Sequence, residues 1–324
     1  MRNISSRRAA SPAPKRTTIR TAAVSVAALT CLAVAACSSS GSSKPSSSAN
    51  PLAPTTTGSV VVGSANFPES EVLAQIYADA LQGKGIKVTT KFNIGAREVY
   101  YPQVVKGAIT IIPEYNGALL TTSVNPKSTA ASTADVNAEL KAKLPSSVEI
   151  LNSASAQDKD SITVTQATAT KYHLTSISGL GPYAKDFVIG GPPEFPTRAD
   201  GLPGLKNIYG LTFKSFSPLD VSGPITLAAL TSGKVQAADV FTTTPQIVTD
   251  HLVSLADPKN LFAAQNVTPL VYKKGVNSTI VSTLNSVSAV LTTDALVQMN
   301  KALVIDHASY TQVASGFLAQ EGLK

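Results

Sequence analysis

Asp158 and Asp160, two apart in Gln-Asp-Lys-Asp, are a pair of carboxylates that could share acid/base work. The lysine between them makes a solvated connection equally plausible. His173, His251 and His307 stand far apart, and none has a second His or Cys at metal-ligand spacing. Surface or helix-capping positions account for them. The chain holds no Gly-x-Ser-x-Gly, no Walker loop and no Gly-x-Gly-x-x-Gly after a strand. "GGPPEFP" (190–196) carries three prolines and no lysine, which suits a rigid cleft wall better than a phosphate cradle. Enzymatic, metal and cofactor chemistry are therefore weakly supported, and the informative residues are of the binding kind. Chief among them is "ITIIPEYNGALL" (109–120), where an apolar strand delivers a carboxylate and a tyrosine just before helix formers resume.

The elements around that corner alternate. Residues 60–64 read as strand, 68–82 as a helix opening on proline and two glutamates, 86–92 as strand, 97–106 as helix and 108–113 as strand. Later, 187–191 and 211–216 read as strands, 224–234 as helix and 235–241 as strand, and the last fifty residues read as successive helices. Such alternation argues for an α/β protein with parallel sheets covered on both faces. "QVVKGAITIIPEY" (103–115) and "ALTSGKVQAADVF" (229–241) share a plan: helix end, glycine stop, strand, terminal aromatic. Gly107 and Gly233 sit where a helix ends on a left-handed residue. Two lobes follow from this echo, each with a strand running out at a carboxyl edge, and ligands bind outside such edges.

The chain of 324 residues carries a formal charge of +7. Arg2, Arg7, Arg8, Lys15, Arg16 and Arg20 precede "TAAVSVAALTCLAVAAC", an apolar run too short to span a bilayer comfortably but suited to a secretory signal. Small residues before Cys37 and serines after it resemble the lipobox of bacterial lipoproteins, with Val34 where leucine is usual. The reading is a signal peptide over 1–36, lipidation at Cys37 and a flexible Ser/Thr/Pro tether over 37–58. Without the six bases of the signal, 21 basic side chains face 20 acidic ones, so nucleic acid is not an expected partner. Cys31 leaves with the signal and Cys37 carries lipid, so the exported body has no thiol for disulfides or metal.

Four segments together resemble one family: "VVVGSANFPESEVLAQIYADAL", "GAREVYYPQVVKGAITIIPEYNGALL", "TATKYHLTSISGL" and "EFPTRADGLPGLKNIYGLTF". They are similar to the substrate-binding components of osmoprotectant ABC importers of the glycine betaine/choline/proline type, over nearly all of 59–272. The resemblance implies a type II periplasmic-binding-protein-like fold, with two lobes, central mixed sheets and two crossovers. Lobe 1 would take 59–157 and 266–324, and lobe 2 would take 158–265. It also implies a lipid-anchored protein on the extracytoplasmic face of the cell membrane that delivers a small solute to permease and ATPase subunits.

By the same resemblance, Tyr115 of the Pro-Glu-Tyr corner enters the pocket, with Asn116 after it, and Arg198 in "EFPTRADG" anchors the ligand's anion. The first loop has Ala65 and Asn66 where lysine is common, and Asp160, with Asp158 two before it, stands where a second cage tyrosine usually begins a strand. Thr242 and Thr243 follow the "DVF" strand, and Gln265 or Asn266 falls where another tyrosine is usual. Only Tyr115 clearly remains of the aromatic box. Such a lining favours a polar solute with several donors and acceptors, such as an amino acid or polyol, with glycine betaine as the alternative.

Overall fold

The computed structural model describes residues 59–323, so the signal segment, Cys37 and the tether lie outside the described residues. The chain opens with β1 (Val60–Gly63), α1 (Pro68–Gly83), β2 (Val88–Lys91), α2 (Arg97–Val105) and β3 (Ile111–Tyr115). The single turn α3 (Asn116–Leu119), then α4 (Thr133–Lys143) and β4 (Val148–Ile150), follow. A second series runs β5 (Asp160–Thr165), α5 (Gln166–Tyr172), β6 (Val188–Gly191), α6 (Leu202–Tyr209), β7 (Ser215–Pro218) and α7 (Pro224–Thr231). It ends with β8 (Ala237–Phe241), α8 (Gln246–Thr249) and β9 (Leu252–Ser254). β10 (Val267–Tyr272), α9 (Ser278–Val290), α10 (Thr293–Val304) and α11 (Tyr310–Gln320) return to the first body.

Two five-stranded sheets result, ordered β2-β1-β3-β10-β4 and β7-β6-β8-β5-β9. The expected parallel pairing holds for β2, β1 and β3 and for β7, β6 and β8. It fails at β10 and β5, which run antiparallel to both neighbours. Those are the two strands that the chain enters on crossing between lobes, through residues 151–159 and 255–266, so both sheets are mixed. The crossovers pair with each other: Gln157 bridges Asn266, and the Asp158 N–H donates to the Gln265 carbonyl at 3.2 Å.

The helices follow from local chemistry. α1 places Pro68 where no N–H is needed and Glu69 and Glu71 at the positive end of the dipole. Its Val72, Leu73, Ile76, Tyr77, Ala80 and Leu81 are buried against β1 and the C-terminal helices, as the 3.6-residue spacing requires. The two echoing segments occupy equivalent places, since β3 and β8 are each the third strand of their sheet. Each follows a helix stopped by a left-handed glycine, Gly107 at φ 78° and Gly233 at φ 76°.

Two boundaries move. β3 does not stop at Pro113: that proline faces Pro269, and the ladder to β10 continues through Glu114 and Tyr115. β7 begins at Ser215 rather than 211, because the Leu211 N–H closes on the Leu205 carbonyl and so belongs to the end of α6.

Candidate functional site

A cavity of about 50 Å³ lies between the lobes. Asn66, Tyr115, Asp158, Asp160, Arg198 and Gln265 line it, brought together from the first lobe, the crossovers and the second lobe. Thr243 lies behind it, and Asn116 and Thr242 do not line it.

Tyr115 ends β3 and is almost fully buried, and its hydroxyl donates to Glu69 Oε1 at 2.6 Å. The other oxygen of Glu69 accepts from Thr243 Oγ1 at 2.6 Å and Asn300 Nδ2 at 2.5 Å. Burial pushes the Glu69 carboxyl up from its ordinary range, while the bonds from Thr243, Tyr115 and Asn300 work against that rise. Asp158 is pushed well above the usual carboxylate range, first by burial and then by the charge of Glu69. Burial, then the Glu69 charge, also raises the Tyr115 phenol, so it stays a donor.

Glu114, the carboxylate at the same corner, is fully buried and points the opposite way along the pleat. It accepts from Arg97 Nε and Nη2 at 3.0 Å each, from the Tyr100 hydroxyl at 2.9 Å and from the Tyr115 N–H at 3.1 Å. Arg97 Nη1 reaches Thr122 Oγ1 at 3.2 Å. Thr122 belongs to Leu120–Val124, where the helix after α3 widens to i→i+5 bonding. The strand thus ends in a carboxylate and a tyrosine because one fixes α2 and the other faces the cleft.

Arg198 enters from the second lobe, but its fork is already matched. Nε and Nη2 donate to Glu98 Oε1 and Oε2 of the first lobe at 3.0 Å each, and Glu194 stands at 3.7 Å. Burial works against ionisation of Glu98, but the bonds and charge of Arg198 prevail and hold its carboxyl below the usual range. The anion-anchoring position expected for Arg198 is held here by a carboxylate of the protein itself. A second contact across the lobes runs from the Thr121 hydroxyl to Asp200 Oδ2, 2.7 Å.

Three expectations need correction. Asn116 is fully buried: its Oδ1 accepts the Gly117 and Asn266 N–H groups at 2.9 and 2.7 Å, and its Nδ2 donates to Asn137 Oδ1 at 2.8 Å. As the first residue of α3 it turns back into the first lobe, where its side chain bonds residues of that lobe alone. Thr242 Oγ1 accepts the Lys159 N–H at 2.9 Å and donates to Asp158 Oδ1 at 3.2 Å, which fastens the crossover instead. The aromatic box is also fuller than Tyr115 alone, since Phe67, Tyr100 and Phe241 line the same cavity. Phe67 lies 5.9 Å from Tyr115 and 5.2 Å from Phe241 between ring centroids, the latter pair edge to face. Phe241 closes β8 as Tyr115 closes β3, and the repeated terminal aromatic was the available signal.

Gln265 lines the cavity with its amide committed, accepting the Asp160 N–H at 2.9 Å and donating to Asp160 Oδ2 at 2.8 Å. Glu69, Glu98, Asp200 and Asp239 were not singled out in the sequence. Asp239 is buried with Oδ1 unpartnered, and burial, then the charge of Asp160, pushes its carboxyl well up. His173, His251 and His307 each follow a helix at left-handed φ of 53°, 51° and 55°, and none lines the cavity.

The family described as the substrate-binding domain of ABC-type glycine betaine transport systems matches residues 58–320. The ergothioneine transport permease/ergothioneine binding protein EgtU of Helicobacter pylori (strain G27) is 24% identical over 271 residues, which are 82% of this chain and 48% of that protein. The chain thus spans about half the length of that relative. The crystal structure of a glycine betaine/carnitine/choline ABC transporter protein shares the fold, with a TM-score of 0.63 at 22% identity over 82% of this chain and 99% of that one. Apo YehZ from Escherichia coli gives a TM-score of 0.58 at 26% identity, again over 82% and 99%. The chain belongs to the family of substrate-binding domains of ABC-type glycine betaine transport systems.

Proposed function

We propose that this protein captures a small zwitterion with an alkylated ammonium head and presents it, between closed lobes, to an ABC permease. One observation carries the reading: Phe67, Tyr100, Tyr115 and Phe241, drawn from both lobes, line a cavity in which Asp160 makes no ion pair among the described residues. Arg97 and Arg198 are each in contact with a carboxylate, whereas no Lys or Arg among the described residues pairs with Asp160. An ammonium head that cannot donate hydrogen bonds gains about 0.5–2 kcal/mol per aromatic face once desolvated. The carboxylate end would compete with Glu98 for the fork of Arg198, assisted by the exposed Asn66 in the loop before α1.

Contacts on both lobes favour the closed form, which is the differential a population shift needs. The lobes in this reading are 59–157 with 266–324, and 158–265, turning about the paired crossovers. The solute is released unchanged to permease and ATPase subunits. Cys37 carries the lipid that holds the protein on the extracytoplasmic face of the membrane, and intact-mass analysis of the mature N-terminus tests that part.

Calorimetry with glycine betaine, choline, proline and a polyol tests the ligand class. Quaternary ammonium compounds should bind, and Phe241→Ala should weaken them by about 2- to 30-fold, the equivalent of one aromatic face. Tightest binding of the polyol, or no loss in Phe241→Ala, would sink the reading. Mass spectrometry of recovered solute should show no product.

A further inference from the structure

Glu69, in the first turn of α1, does not line the solute cavity, yet it holds a residue that does. Its Oε1 accepts the hydroxyl of Tyr115 at 2.6 Å, and its Oε2 accepts that of Thr243, just after β8, also at 2.6 Å. One carboxylate thus joins a cavity-lining tyrosine of the first lobe to a residue of the second. Of the side-chain contacts described between the lobes, that of Arg198 with Glu98 is exposed and that of Thr121 with Asp200 is half-buried. Glu69 and Thr243 are shut away from water, at 3% and 1% exposure. Asn300 of α10 closes the third side, its Nδ2 reaching Glu69 Oε2 at 2.5 Å and Thr243 Oγ1 at 3.0 Å. The Thr243 N–H is held in turn by Asp158 Oδ1 of the crossover, at 3.0 Å.

We propose that Glu69 is the positioning residue that turns contact with the solute into closure of the lobes. This rests on the reading of Tyr115 as a wall of the solute's seat. A glutamate side chain has several torsions to fix, and ordering them costs entropy. Solute packed on the Tyr115 ring steadies the phenol, the phenol steadies Oε1, and Oε2 is then already set where Thr243 arrives. That ordering is done once and serves both events, so capture and closure favour each other without Glu69 or Thr243 touching the solute. Asn300 keeps Oε2 partnered while the lobes are apart, so opening leaves no buried acceptor stranded.

The test is calorimetry on the full chain with glycine betaine and choline, together with the dissociation rate of the radiolabelled probe after dilution. Thr243→Val should weaken binding by about ten-fold, the equivalent of one hydrogen bond to a carboxylate, and the loss should lie in faster dissociation. Thr243→Ser, which keeps the hydroxyl, should recover most of it. Tyr115→Phe keeps the ring and loses the phenol. In that background Thr243→Val should cost no more than about three-fold, because the two losses act through one carboxylate. Losses that multiply in full overturn the inference and leave the proposed function standing. So does a folded Thr243→Val protein that binds like the wild type while only its urea midpoint falls, the mark of a purely structural role. Thr243→Ala carries the same expectations where the valine variant does not fold. Binding of neither probe by the wild type overturns both.

Discussion

Arg198 and Glu98 face each other across the cleft from opposite lobes, joined by two hydrogen bonds of 3.0 Å. Glu98 is nearly half exposed, so the pair contributes no more than about 1 kcal/mol. Glu98→Ala should free the guanidinium and raise the ratio of glycine betaine affinity to choline affinity by up to about five-fold. Choline has no carboxylate, so any change in lobe opening cancels in the ratio. An unchanged ratio in titration calorimetry would show that Arg198 does not meet the solute.

Glu114 neutralises Arg97 where neither side chain reaches bulk water to any extent. Removing one partner strands a buried charge, so Glu114→Ala should cost about 3–5 kcal/mol in urea unfolding. Tyr100 should also lose its anchor, so surviving protein should bind solute more weakly. A cost under about 1 kcal/mol would place water at Arg97.

Asp158 provides a pH prediction. Its folded-state pKa is raised, by burial first and by Glu69 second, so in the folded protein it keeps a proton that the unfolded chain releases. Above the ordinary carboxylate range the native state binds more protons, and this group's contribution to stability falls as pH rises. Asp158→Asn retains the Oδ1 acceptor for the Thr243 N–H and removes the titration. The variant should match the wild type near pH 3.5 and become progressively more stable than it toward pH 7. A stability difference independent of pH would show that Asp158 is ionised in the folded protein.

Gly107 and Gly233 differ in a way that unfolding midpoints can read. Both are left-handed, but a Cβ at Gly107 would lie 2.7 Å from the Tyr272 ring, whereas nothing lies within 4 Å at Gly233. Gly233→Ala should cost about 1–2 kcal/mol, the conformational penalty alone. Gly107→Ala should cost more, and equal costs would mean that Tyr272 moves aside freely.

Much of the scaffold was legible because helical spacing and glycine stops are local signals. α1 and the β3 and β8 units could be read from a dozen residues each. β5 and β10 came only through the resemblance, not from local pattern, because their antiparallel pairing is fixed by partners more than seventy residues away. Within the site, Tyr115, Asp158, Asp160 and Arg198 do meet at one cavity. Glu69 was hidden because an acid in a first helical turn ordinarily serves the helix dipole; here it is buried by α10 and Thr243, which no local pattern reports. Asn116 misled for the converse reason: adjacency to Tyr115 in sequence reverses at the strand-to-helix corner.

The position of β10 separates the two sheets in the order in which their strands become available. It lies between β3 and β4, yet it is made only after the whole of the second sheet. A chain leaving the ribosome or a translocase amino end first therefore holds residues 60–150 without the strand that joins β3 to β4. The strands of the later sheet, 160–254, are contiguous and need no such latecomer. The upstream sheet can be completed only once residues 267–272 have been made, whereas the downstream one needs nothing beyond residue 254.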